Sequence, residues 1–101
     1  MAFEETNVRH LGAFRKNKAT ETRVVAKTVN ASNFIDVREW TVAEGADPST
    51  AIATRKGTMI RREHVPDVIL MMLSDLTPED IRGDGDVISK IMAEVDRLTG
   101  S

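Results

Sequence analysis

Apolar positions change their spacing once along this chain, near Arg62, and the change divides it into a β-forming part and a helical part. From Thr22 to Val29, Val24, Ala26 and Thr28 alternate with Arg23, Val25 and Lys27, and the β-branched content predicts a strand. Asn30-Ala31-Ser32-Asn33 supplies turn chemistry, because asparagine tolerates left-handed backbone and hydrogen-bonds its own main chain. A second strand follows over 34–42, with Ile35, Val37, Glu39 and Thr41 on one parity and Phe34, Asp36, Arg38, Trp40 and Val42 on the other. The first parity reads as the core side near its start. Residues 44–49 form a loop by composition, residues 50–54 resume an extended run that Gly57 breaks, and residues 58–60 can form one more short strand. Residues 1–20 show no clear period and read as a loop or a short irregular strand.

Past Arg62, Val65, Val68, Ile69, Met72, Leu73 and Leu76 fall at the offsets of one helical stripe, over three to four turns. Pro66 fits there only because it lies in the first turn, where its missing N–H has no partner to lose. Leu70 and Met71 stand off that stripe, so a second helix or a partner chain has to cover them. Thr77-Pro78-Glu79 opens a new segment in cap style, Gly83 and Gly85 interrupt it, and Asp86 can cap a helix to Leu98 with a stripe of Val87, Ile88, Ile91, Met92, Val95 and Leu98.

With 101 residues, 41% of them apolar and 4% aromatic, one modest core can be filled but not two, which predicts a single domain over 1–101. The formal charge of −2 hides a polarity: residues 1–62 sum to +4 and residues 63–101 to −6. Either the basic part is a polyanion-binding face with a repelling back, or a basic sheet and acidic helices neutralise each other. The absence of cysteine excludes disulfides and thiolate metal sites and fits a reducing compartment. No signal-like apolar run begins the chain and no stretch is long enough to cross a membrane, so the expected location is cytoplasmic: nucleoid-associated, or nuclear if the source is eukaryotic.

The densest chemistry lies in Phe34-Ile35-Asp36-Val37-Arg38-Glu39-Trp40 and, some way on, Thr54-Arg55-Lys56-Gly57. A guanidinium and an indole on one strand face, with a second basic pair beside a glycine, suit a flexible polyanion with exposed bases. For Arg38, Arg55 and Lys56 the plain alternative is a solvated edge with Arg38 bridged to Asp36 or Glu39. For Trp40 it is a place in the core, and for Gly57 a tight turn. His10 and His64 lack a third ligand for a metal. Asp80, Asp84 and Asp86 lack the terminal glutamate and spacing of a calcium loop and read as turn and cap. Arg82-Gly83-Asp84 is an adhesion tripeptide by coincidence. No phosphate-binding P-loop or nucleophile elbow is present.

In order and spacing, these two motifs, the loop between them and the helix that follows resemble the single-stranded DNA-binding domain of the positive cofactor four family of transcriptional coactivators. That family reads aliphatic-Ile-Asp-Ile-Arg-Glu-aromatic, a loop, Gly-Arg-Lys-Gly and a helix. The resemblance covers about residues 22–76 and leaves 77–101 as a helical extension. It implies an α+β fold, a curved four-stranded antiparallel sheet followed by a helix, dimerised through the helices and with grooves for single strands. It carries DNA contact onto Arg38, Arg55 and Lys56, support onto Trp40 and Gly57, and a dimer interface onto Val65, Val68, Ile69, Met72 and Leu73. Arg23 or Lys27 adds a further phosphate contact. Asn30 to Asn33 stand where the family often has basic and aromatic residues, and Thr41 stands where it has a second aromatic.

These expectations amount to a dimeric, non-catalytic protein without cofactor or metal that holds single-stranded DNA with little sequence preference, in transcription, replication or recombination. RNA is the other candidate strand, since backbone and stacking contacts ignore the 2′-hydroxyl. One rival is a protein-interaction module acting through the apolar helices. Another is an enzyme that uses the acidic run from Asp80 to Asp86 with a divalent metal.

Overall fold

The computed structural model describes residues 4–43, 45–81 and 85–100. The chain is α+β. Four antiparallel strands, β1 (Glu5–Asn17), β2 (Thr20–Val29), β3 (Ser32–Thr41) and β4 (Ile52–Arg61), form an open sheet in the order β1-β2-β3-β4. Three helices follow, α1 (Val65–Asp75), the single turn α2 (Pro78–Ile81) and α3 (Gly85–Thr99). By compactness the chain divides into a sheet unit that ends at Pro66 and a helical unit that begins at Asp67.

Two-residue turns join the first three strands. Asn17 pairs with Thr20, and the Asn17 carboxamide oxygen accepts from Ala19 N at 2.9 Å, an Asx turn that holds Lys18-Ala19 at the tip. Val29 pairs with Ser32 across Asn30-Ala31, whose φ angles of 49° and 68° are those of the mirror-image turn that matches strand twist. The turn expected from composition at 30–33 therefore closes on its first two residues.

Two sequence expectations are corrected here. The segment 5–17, which shows no period, is the longest strand, thirteen residues paired along β2. Its register shifts between Thr6 and Arg9, His10 and Gly12, and Arg15 and Asn17, so the two-residue alternation that reveals a strand is broken three times. The second correction concerns Gly57, which does not break the chain into two short strands but lies inside β4 opposite Arg38. A Cβ built on Gly57 would stand 2.5 Å from the Val37 carbonyl oxygen and 2.7 Å from Arg38 Cα. The glycine is there because β3 and β4 approach too closely for a side chain, not to make a turn.

The sheet unit has a small interior. Val25, Ala26, Val29 and Val42 are buried, and so is one charged residue, Asp36, at 1% exposure. The parity expected to face the core, Ile35 and Val37, is only half-buried, and the most buried position of β3 lies on the opposite parity. Asp36 reaches that state because its carboxylate is surrounded by cations, whereas an unpaired one could not be desolvated.

In the helical unit, Thr77 N and Oγ1 both donate to the Asp80 carboxylate, at 2.7 and 3.1 Å, a capping pair that starts α2 as Thr77-Pro78-Glu79 predicts. Helix α3 covers the expected 86–98, and Arg82-Gly83-Asp84 lies outside the described residues. No residue of α1 or α3 is buried, and Leu70 and Met71 stay uncovered. No described helix is long and apolar enough to cross a membrane.

Candidate nucleic-acid interface

Cross-strand partners share a face, so the register assigns the candidate residues. Asp36, Arg38 and Trp40 on β3 oppose Val25, Arg23 and Glu21 on β2, and Phe34 opposes Lys27. Arg23, Lys27, Arg38 and Trp40 thus stand together, as alternation predicts for Arg38 and Trp40. They line a groove of about 310 Å3 or its neighbour of about 620 Å3, which His10 and Trp40 share.

The indole is the centre of this face. Arg23 Cζ lies 4.6 Å from the Trp40 ring centroid, and the His10 ring meets it edge-on at 5.7 Å. Arg23 is held in that stack by Glu21, through an ion pair from its Nε, and by the Pro48 carbonyl, which accepts from Nη2 at 3.0 Å. Pro48 is brought there by the turn at Asp47, whose carboxylate accepts from Ser49 N at 3.0 Å and is lowered in pKa by that bond. Trp40 Nε1 is buried and finds no acceptor among the described residues.

Arg38 is more constrained still. Its Nε and Nη2 donate to the Asp36 carboxylate at 3.0–3.2 Å, and its Nη1 donates to the Thr54 carbonyl at 3.0 Å. Lys27 bridges Glu5 at 2.9 Å and Asp36 at 3.6 Å. The bridge from Arg38 to Asp36, the plain alternative considered for that residue, is therefore present.

Between Arg38 and Trp40 the β3–β4 register slips, so that residues 54–56 stand against Glu39 alone. Thr54 Oγ1 donates to the Glu39 carbonyl at 2.9 Å and accepts from Lys56 N at 3.2 Å, which stabilises the bulge. Arg55 and Lys56 are exposed on it, and neither has a carboxylate within ion-pair distance among the described residues. Lys56 nevertheless acts on Glu39, whose carboxyl is held below its ordinary range first by the Lys16 hydrogen bond and then by the charges of Lys16 and Lys56. Gly57 pairs with Arg38, so alternation puts Lys56, the residue before it, on the other face of the sheet from Arg23, Lys27 and Arg38. The candidate cations do not converge on one surface.

Sequence reasoning missed His10, because it sits on the strand that had no visible period, and Glu21, whose role is to hold Arg23. Alternation along 21–25 could have found Glu21 beside Arg23; nothing local marks His10. Among the described residues no group of three His, Asp or Glu could hold a metal ion.

Fold and site together define an α+β protein with an open four-stranded antiparallel meander, a helix after its last strand, and an indole and guanidinium cluster on one face. A solved structure of similar fold is that of a PC4 homolog, PC4 being positive cofactor four, from Burkholderia pseudomallei. It matches with a TM-score of 0.54 and 24% identity over 68% of this chain and 92% of that one. At that identity the likeness is one of fold, and it agrees with the resemblance carried by the two β3 and β4 motifs. No family model and no curated protein match the sequence.

Proposed function

We propose that the sheet binds single-stranded nucleic acid, DNA in the first place, with little sequence preference and without catalysis, in the cytoplasm or at the nucleoid. The observation that carries this reading is the groove in which Trp40, stacked by Arg23 and edged by His10, lies beside Lys27 and Arg38. A base can stack on such a platform irrespective of its identity, which gives affinity without readout. Arg55 and Lys56 are exposed on the β4 bulge and form no ion pair among the described residues, so their charge is open to phosphates. The PC4-like fold is consistent with the reading.

Trp40 is the chain's only tryptophan, so its fluorescence reports on the groove directly. Titration with an oligonucleotide of about 20 nucleotides should quench it, and log K should fall with log salt at a slope near −3 for about four phosphate contacts. Arg55→Ala with Lys56→Ala should flatten that slope by about 1.4, two contacts at roughly 0.7 each. No quenching at low salt, or a slope indifferent to both substitutions, refutes the proposal and leaves the interaction-module reading.

We also propose a homodimer through Val65, Val68, Ile69, Met72 and Leu73 of α1. Ile69, Leu70, Met71, Met72 and Leu73 are consecutive, large and exposed, so apolar surface runs all round α1, more than a monomer in water ordinarily keeps. Met72 is 65% exposed in the single chain, so Met72→Asp should leave the fold intact and halve the mass seen by light scattering. A wild type that is already monomeric rules the dimer out.

A further inference from the structure

His10 stands where the two hollows on the Trp40 face meet, since it and Trp40 line both. Its pairing with Val25, which opposes Asp36, turns its side chain to that face, and the register shift between His10 and Gly12 bends β1 beside it. The imidazole meets the indole at 5.7 Å, next to the ring on which a base would stack.

The charged groups around His10 leave it the deciding part. Three cations line the two hollows and each has a carboxylate there: Arg23 pairs with Glu21, Lys27 with Glu5 and Arg38 with Asp36. These six groups come from β1, β2 and β3, and the residues that β4 and the Pro48 turn add to the lining carry no charge. The permanent charges of the site therefore sum to zero. His10 has no carboxylate within ion-pair distance among the described residues. An imidazole changes its charge between about pH 5 and pH 8, which no other side chain ordinarily does. A proton on His10 takes the site from neutral to a net positive charge, and the apolar walls at Val8, Val25 and Met59 limit the screening of that charge.

We infer that His10 makes nucleic-acid binding in the Trp40 groove pH-dependent: its protonation gives the site one unpaired positive charge, for a phosphate beside the stacked base. The inference rests on the binding function proposed above and adds the regulation of that same site. His64, the chain's other histidine, pairs with Glu63 at 3.8 Å and lines neither hollow, so it serves as the comparison.

The test titrates a thymidine oligomer of about 20 nucleotides, whose bases do not ionise in this range, into wild type, His10→Gln, His10→Lys and His64→Gln. Anisotropy gives the affinity at about pH 6 and about pH 8 over a series of salt concentrations. For wild type and His64→Gln the slope of log K against log salt should be steeper at the lower pH by up to about 0.7, one added phosphate contact. His10→Gln should lose that difference, and His10→Lys should lose it while keeping the steeper slope at both pH values. Wild type with the same affinity and slope at both pH values overturns the inference and leaves the binding function of the groove standing. So does a pH difference that survives in His10→Gln, because another group then carries the proton, or a His10→Lys slope at the higher pH no steeper than that of wild type. Wild type that binds at neither pH overturns both.

Discussion

Asp36→Ala should unfold this protein at a urea concentration well below that of the wild type, with a loss on the order of 3–5 kcal/mol. The reason is the state of the cations it leaves behind. Asp36 is 1% exposed, accepts three hydrogen bonds from Arg38 and stands 3.6 Å from Lys27 Nζ. With the carboxylate gone, a guanidinium and an ammonium that are largely out of water lose their common counter-charge. Lys27 keeps Glu5 and Arg38 keeps the Thr54 carbonyl, which places the cost toward the lower end of that range. Asp36→Ala with Arg38→Ala should be less damaging than the sum of the two single changes by about 0.5–3 kcal/mol, since removing both partners leaves one charge fewer unmatched. A single substitution that costs under about 1 kcal/mol, an ordinary value for a point change, would show that water reaches the pair and that the carboxylate is not the keystone of β3.

Gly57→Ala should cost about 1–3 kcal/mol through overpacking, and Gly57→Val more. The added carbon meets backbone rather than a side chain that can turn aside: the Val37 carbonyl oxygen at 2.5 Å and Arg38 Cα at 2.7 Å. The strands have to move apart at the position where Arg38 and Gly57 pair, next to the bulge that displays Arg55 and Lys56. Amide exchange along β3 and β4 should therefore accelerate together with the fall in the denaturation midpoint. If Gly57→Ala matches wild type within about 0.5 kcal/mol, the range of neutral surface changes, close strand approach is not what the glycine serves.

The helices were legible because the stripe at 65–76 and the one at 87–98 are long enough for periodicity to average over single exceptions. Strands β2 and β3 were legible for the analogous reason, with the turn at Asn30-Ala31 marked by a residue that accepts left-handed backbone. Strand β1 was not, because three register shifts reset its alternation, and with it went His10, Phe14 and Lys16. Strand β4 was read as two pieces because glycine in a sequence suggests a turn, whereas the need for it arises from the Val37 and Arg38 backbone some twenty residues earlier.

What the sequence by itself determined is the α+β class, the sheet-then-helix order and the pairing of Arg38 with Trp40 on one face, because each follows from local spacing and the two-residue or 3.6-residue repeat. Only the tertiary structure decided which face is the groove, that Arg38 and Lys27 are tied to a buried carboxylate, and that Lys56 lies on the opposite side with Lys16 and Glu39. Those are properties of residues brought together by register, and register is set by turns, bulges and close backbone approach rather than by the side chains' own sequence pattern.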